Sequence, residues 1–160
     1  MSSLNQITMV SLNQLVNPKH QYRKFKELFD FELAAKELSA AESPANYKGY
    51  GILRVFKCLL LQFMEDLSDR ELERYLSDSN AAKWFCDFDL TETTPDHTVF
   101  SCLRTKIGTN TLSKIFAGFR DQLRSKGYMS EVSLLLILKK PDYRKKLKKV
   151  ALKIKSIVSL

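Results

Sequence analysis

The sequence predicts an all-α fold: a compact bundle of five to seven short helices with a helix-turn-helix-like element, followed by a basic, poorly ordered C-terminal tail. Three observations carry this prediction. Glycine (5) and proline (4) are scarce among 160 residues, which disfavours turn-rich β architecture. Apolar residues recur at helical spacing through most of the chain. Residues 67–104, LSDRELERYLSDSNAAKWFCDFDLTETTPDHTVFSCLR, string together three helix-start signals in under forty positions. A hydrophobic content of 44% suffices for a core and argues against wholesale disorder.

Asn17-Pro18 opens the first helix, with Asn17 as cap and Pro18 at the first helical position, where no N–H is needed. Tyr22, Phe25, Leu28 and Phe29 form its apolar stripe, and Arg23, Lys24 and Lys26 lie off it. Asp30 caps a second short helix through Leu33, Ala34 and Leu38, and Ser43 to Gly51 is a loop holding Pro44, Gly49 and Gly51. The helix from Ile52 to about Glu65 is apolar on most sides, as the central helix of a bundle must be. Ser68 starts the next: its hydroxyl suits the Glu71 amide, the Glu71 carboxylate suits the Ser68 amide, and Leu67 and Leu72 occupy the staple positions. Helix, tight turn and helix at this junction make the helix-turn-helix-like element.

Asn80 caps a short helix carrying Ala81, Ala82, Trp84 and Phe85. After an acidic loop, Thr94-Pro95 opens another, with Asp96 in its first turn complementing the helix dipole. Val99, Phe100, Leu103 and Ile107 make its apolar face, and Gly108 ends it. A last body helix from about Asn110 to Lys126 turns Leu112, Ile115, Phe116, Phe119 and Leu123 inward and stops at Gly127. Beyond it, VSLLLIL reads as a short strand. Leu147, Val150, Ile154 and Ile157 then keep helical spacing among lysines, the pattern of a basic amphipathic helix.

The net charge of +8 is unevenly placed. Residues 1–128 carry 17 Lys+Arg against 16 Asp+Glu, whereas residues 129–160 carry 9 against 2. The chain thus divides into a nearly neutral helical body and a lysine-rich tail, and bulk charge says nothing about the body's partners. Cys58, Cys86 and Cys102 are isolated and no secretory leader precedes them, so they read as reduced thiols of a cytoplasmic protein. Two distant histidines give no zinc pattern, no cofactor motif occurs, and no apolar run approaches a membrane span.

The best candidate for contacting a nucleic acid is the polar face of the 97–107 helix. His97, Thr98, Ser101, Arg104 and Thr105 suit phosphates and base edges; the alternative is the solvated face of an ordinary amphipathic helix. Arg70 and Arg74 share one face of the Ser68-capped helix. They are placed either for backbone phosphates or for pairing, Arg70 with Glu73 and Arg74 with Asp78. Trp84 and Phe85 read as core, since their spacing gives no stacking platform. Glu65, Asp66, Asp69 and Glu71 read as caps and solubilising groups rather than a metal site. Lys139 to Lys155 offers charge alone, to DNA or to an anionic surface.

Residues 47–104, from YKGYGILRVFKCLLLQFMEDLSDRELE through AAKWF to PDHTVFSCLR, resemble the N-terminal domain of bacterial insertion-sequence transposases of the InsH type. The similarity extends upstream through LVNPKHQYRKFKELFDF and downstream to about Tyr128. The resemblance implies a helical DNA-binding domain that recognises the terminal inverted repeats of a mobile element. It also implies a following RNase H-like domain, in which three acidic residues hold two divalent metals for strand cleavage and joining. The sequence departs from that pattern after GYMSE at 127–131. Where the family runs into a strand bearing its first catalytic aspartate, VSLLLIL has no acid, and Glu131 and Asp142 are the only carboxylates of the tail. No catalytic residue is carried over, and the expectation is a chain that is not an enzyme.

The swing in charge suggests that the tail is an out-of-frame reading of DNA that once encoded the catalytic domain. The expected function is the DNA-binding portion of a transposase, truncated and inactive alone in DNA transposition and recombination. Its expected partner is double-stranded DNA at the inverted repeats, with no cofactor, metal or membrane. Two other classes stay open: a regulatory protein that pairs or competes with full-length transposase, or forms a homo-oligomer, and the first product of a frameshifted gene.

Overall fold

Helix α4 (Ile52–Glu65) sits at the centre of the computed structural model, which describes residues 10–40 and 49–127. Its composition explains the position: Ile52, Val55, Phe56, Leu59, Leu60, Leu61 and Met64 point in several directions and are all buried. Around it lie α1 (Leu12–Leu15), α2 (Gln21–Leu28), α3 (Phe31–Ala40), α5 (Asp69–Asp78), α6 (Asn80–Phe85) and α7 (His97–Ser125). Every regular element among the described residues is helical. The all-α prediction holds. The expectations for the tail, and for most of the loop before Gly49, lie outside the described residues.

Helix α7 is two helices in one. Gly108 has φ 69 and ψ 166, a conformation that side-chain-bearing residues avoid, and it bends the element into a first limb (97–107) and a second limb (109–125). The first limb packs on α5; α7 as a whole also meets α3 and α4. Phe119 of the second limb sits among aromatic rings, with centroids 4.6 Å from Phe29, 5.6 Å from Phe31 and 6.4 Å from Phe56. The second limb approaches α3 so closely that a Cβ at Gly118 would collide with the Leu33 side chain.

Several helix starts differ from the sequence expectation, always because a neighbouring group makes the better cap. The Asn17 side chain accepts the Lys19 amide at 2.8 Å and closes a turn, and α2 begins at Gln21, with His20 Nδ1 accepting the Tyr22 N–H at 3.2 Å. Burial lowers the His20 pKa, favouring the neutral ring that such a cap requires. Ser79, not Asn80, caps α6 through the Ala82 amide at 3.2 Å. Asp96, not Thr94, caps α7 through the Thr98 amide at 2.9 Å. The short α1, where the Gln14 side chain takes the Ser11 amide at 2.9 Å, had no sequence prediction. The Asp30 and Ser68 caps are as predicted: Asp30 accepts from Glu32 at 2.9 Å, and Ser68 and Glu71 exchange bonds of 2.7 and 3.3 Å.

A polar joint ties α2, α4 and α6 together. Asp87 follows α6 in the left-handed region (φ 60), and its carboxylate accepts from Lys26 at 2.5 Å and from the nearly buried Lys57. Burial opposes its ionisation, but the two ammonium groups outweigh this and hold its pKa below the usual aspartate value. Trp84 lies beneath Arg23 and Lys26, 4.6 and 4.5 Å from its ring, and is only half-buried, unlike Phe85.

Candidate nucleic-acid interface

Between α4 and α5 the chain turns in three residues. Asp66 ends α4 in the left-handed conformation (φ 56, ψ 43), and the Ser68–Glu71 box starts α5. This turn aims α5 so that Leu72 and Leu76 enter the core while Asp69 and Glu73, one helical turn apart, face the first limb of α7. The two helices run antiparallel, since Asp69 meets Arg104 whereas Glu73 meets His97.

Both ends of the seam are hydrogen-bonded clamps. Arg104 Nη1 donates to Asp69 Oδ1 at 2.9 Å, and Nη2 donates to Asp69 Oδ2. At the other end, Glu73 Oε2 accepts the His97 backbone N–H at 3.0 Å and lies 2.8 Å from His97 Nδ1. These bonds with His97 hold the Glu73 pKa below the usual glutamate value. A carboxylate at the first turn of α7 also complements the helix dipole.

On the solvent side of the seam, Arg70, Arg74 and Ser77 recur at helical spacing along α5, all exposed. Thr98, Ser101 and Thr105 do the same along the first limb. Arg70 and Arg74 have no carboxylate within salt-bridge distance among the described residues; Arg74 Nε donates instead to the Arg70 carbonyl at 3.4 Å. The expected pairs of Arg70 with Glu73 and of Arg74 with Asp78 do not form; Glu73 lies on the stripe that faces α7 and is taken by His97. Thr105 Oγ1 donates to the Ser101 carbonyl at 3.2 Å, and Thr98 Oγ1 donates to Asp96.

The seven candidate residues therefore gather on one face but divide in their bonding. Arg104 and His97 are engaged across the seam, whereas Arg70 and Arg74 present their charge to solvent. Sequence reasoning did not assign the partners, Asp69 and Glu73. A signal existed for them, two acids four residues apart on a helix two elements before a His/Arg-bearing face, but nothing in it specifies which cation each one meets.

Next to the first turn of α7 lies a groove of about 490 Å³, bordered by Tyr50, Glu73, Lys83, Glu92, Thr94 and Asp96. Its lining carries Glu73, Glu92 and Asp96 against Lys83, with Glu92 compensated by Arg54, so it offers little attraction to a phosphate backbone. Arg54, stacked 4.2 Å over Phe88, pairs with Glu92 and fixes the loop that forms its wall. Among the described residues no group of three or more His, Cys, Asp or Glu is placed to hold a metal ion, and no helix is long and apolar enough to cross a membrane.

Fold and surface together define, among the described residues, an all-helical domain whose polar face spans two antiparallel helices, with the exposed guanidinium groups of Arg70 and Arg74 at its edge. The chain belongs to the family described as Transposase domain (DUF772), whose model matches residues 10–106. The matched stretch runs from just before α1 to the end of the first limb of α7. No curated protein and no solved structure matches the chain.

Proposed function

We propose that the chain is the DNA-binding portion of an InsH-type insertion-sequence transposase and recognises terminal inverted repeats in double-stranded DNA across the α5 and α7 face. In this reading α4 and α5 act as a helix-turn-helix-like pair, the first limb of α7 supplies the reading surface, and the domain binds without cutting. The observation that supports it most is the pairing of surfaces. Two exposed arginines with no carboxylate within salt-bridge distance among the described residues stand beside an exposed hydroxyl stripe, in a chain of the transposase domain family. Guanidinium groups grip phosphates, and hydroxyls reach phosphates or base edges.

Fluorescence anisotropy with a duplex carrying the element's terminal repeat, against a scrambled duplex of equal length, tests the reading. Tighter binding to the repeat is expected. The affinity should fall with salt on a log–log slope on the order of −2 to −4, because few phosphates can be neutralised by a nearly neutral body. Equal affinity for both duplexes would remove the recognition role.

A further inference from the structure

We infer that Arg104 is a positioning residue of this face and makes no DNA contact of its own, an inference that rests on the DNA-binding reading above. Its guanidinium is already occupied. Nη1 donates to Asp69 Oδ1 at 2.9 Å and to Gln62 Oε1 at 3.2 Å, and Nη2 donates to Asp69 Oδ2. Gln62, 7% exposed, donates through Nε2 to Asp69 Oδ1 at 2.6 Å and closes the triangle. One side chain thus joins the last turn of α4, the first turn of α5 and the first limb of α7.

Charge and geometry agree on the role. The Arg104 and Asp69 charges cancel at contact distance, so an approaching phosphate meets little net field there. A swing of Arg104 towards DNA would take its guanidinium away from the Asp69 carboxylate, whose charge would then repel the same phosphate. Arg70 and Arg74 carry no such penalty, being exposed and bound in no salt bridge among the described residues. The two-pronged bond instead fixes how α5 crosses α7. It thereby sets the distance from the arginine stripe to the stripe of Thr98, Ser101 and Thr105. A lysine would keep the charge but lose the fork.

The Asp69→Asn variant separates the alternatives because they predict opposite signs. If Asp69 merely restrains an arginine meant for DNA, removing its charge tightens binding. If Arg104 positions the helices, Asp69→Asn weakens binding to the terminal-repeat duplex ~5–20-fold, the range of a partly buried charged hydrogen bond. Arg70→Ala and Arg74→Ala should each reduce the salt slope by about one, and Asp69→Asn should leave it unchanged. A wild-type measurement guards against an unfolded variant. In a DNA titration followed by side-chain NMR, the Arg70 and Arg74 guanidinium resonances should shift while that of Arg104 stays in place. Tighter binding by Asp69→Asn, or a shift at Arg104 alone, overturns the inference and leaves DNA binding intact. A wild-type protein that binds no duplex ends both.

Discussion

The two limbs of α7 share one helix label and a similar apolar anchorage, but differ in their polar contacts with the bundle. The second limb is fastened by burial: Leu112, Ile115, Phe119 and Leu123 are all at most 4% exposed, and Phe119 is ringed by aromatics. The first limb buries Val99, Phe100, Leu103 and Ile107, but its contact with α5 is edged by ionic clamps, Asp69 with Arg104 and Glu73 with His97. Apolar burial is worth ~1.5–3 kcal/mol per large side chain, whereas exposed ion pairs contribute little. Both limbs supply stability through burial, and the clamps on the first also fix its orientation against α5.

The largest test of this contrast is Phe119→Ala, expected to cost ~3–5 kcal/mol in urea denaturation. A loss under 1 kcal/mol would mean that burial in the second limb adds little stability. Gly108→Ala comes next: a methyl group in that backbone conformation should cost ~1–3 kcal/mol and lower the melting temperature. An unchanged melt would show that the bend relaxes freely. Gln122→Ala removes the bonds between its side chain and the Asp30 backbone (2.8 and 3.4 Å) and should cost ~0.5–1.5 kcal/mol.

The smallest effect belongs to the first limb and depends on pH. The Glu73 pKa is lowered on folding, so its contribution is complete above the ordinary value of 4.5 and is lost as pH falls through the lower folded value. Acid titrations of wild type and Glu73→Gln should therefore differ in stability at neutral pH and converge below pH 4.5. A gap that persists into stronger acid would assign the difference to something other than this carboxylate.

What the sequence revealed depended on the range of the interaction. The limits of α4 and the Ser68 box are local matters, set by apolar crowding and by two side chains three residues apart, and both were legible. The break at Gly108 was also legible, since a glycine after an apolar helical stripe marks the end of one helix and the start of the next. Caps at residues 79 and 96 were displaced because Ser79 and Asn80, or Thr94 and Asp96, are near-equal candidates that only the incoming chain direction separates. Tertiary partners were the least legible. Glu73 lies within one turn of Arg70 yet bonds to His97, twenty-four positions away, because the orientation of the whole helix decides its neighbours. All seven predicted surface residues fall near one seam, but which cations remain available there is a property of the packed bundle.

The attachment of the second limb also bears on the order in which the molecule can assemble. Lys126 Nζ donates to the carbonyls of Glu27 and Leu28, at separations of 99 and 98 residues, and Phe119 covers Phe29. As the chain leaves the ribosome, α2 and α3 must therefore wait with one aromatic flank uncovered until residues far downstream emerge. Long-range closure of this kind slows folding. A fragment cut at the end of the family-matched stretch, residue 106, would hold α5 and nearly all of the first limb of α7 yet lack the ring that seals Phe29 and Phe31. The smallest unit expected to fold cooperatively is thus longer than the stretch that identifies it.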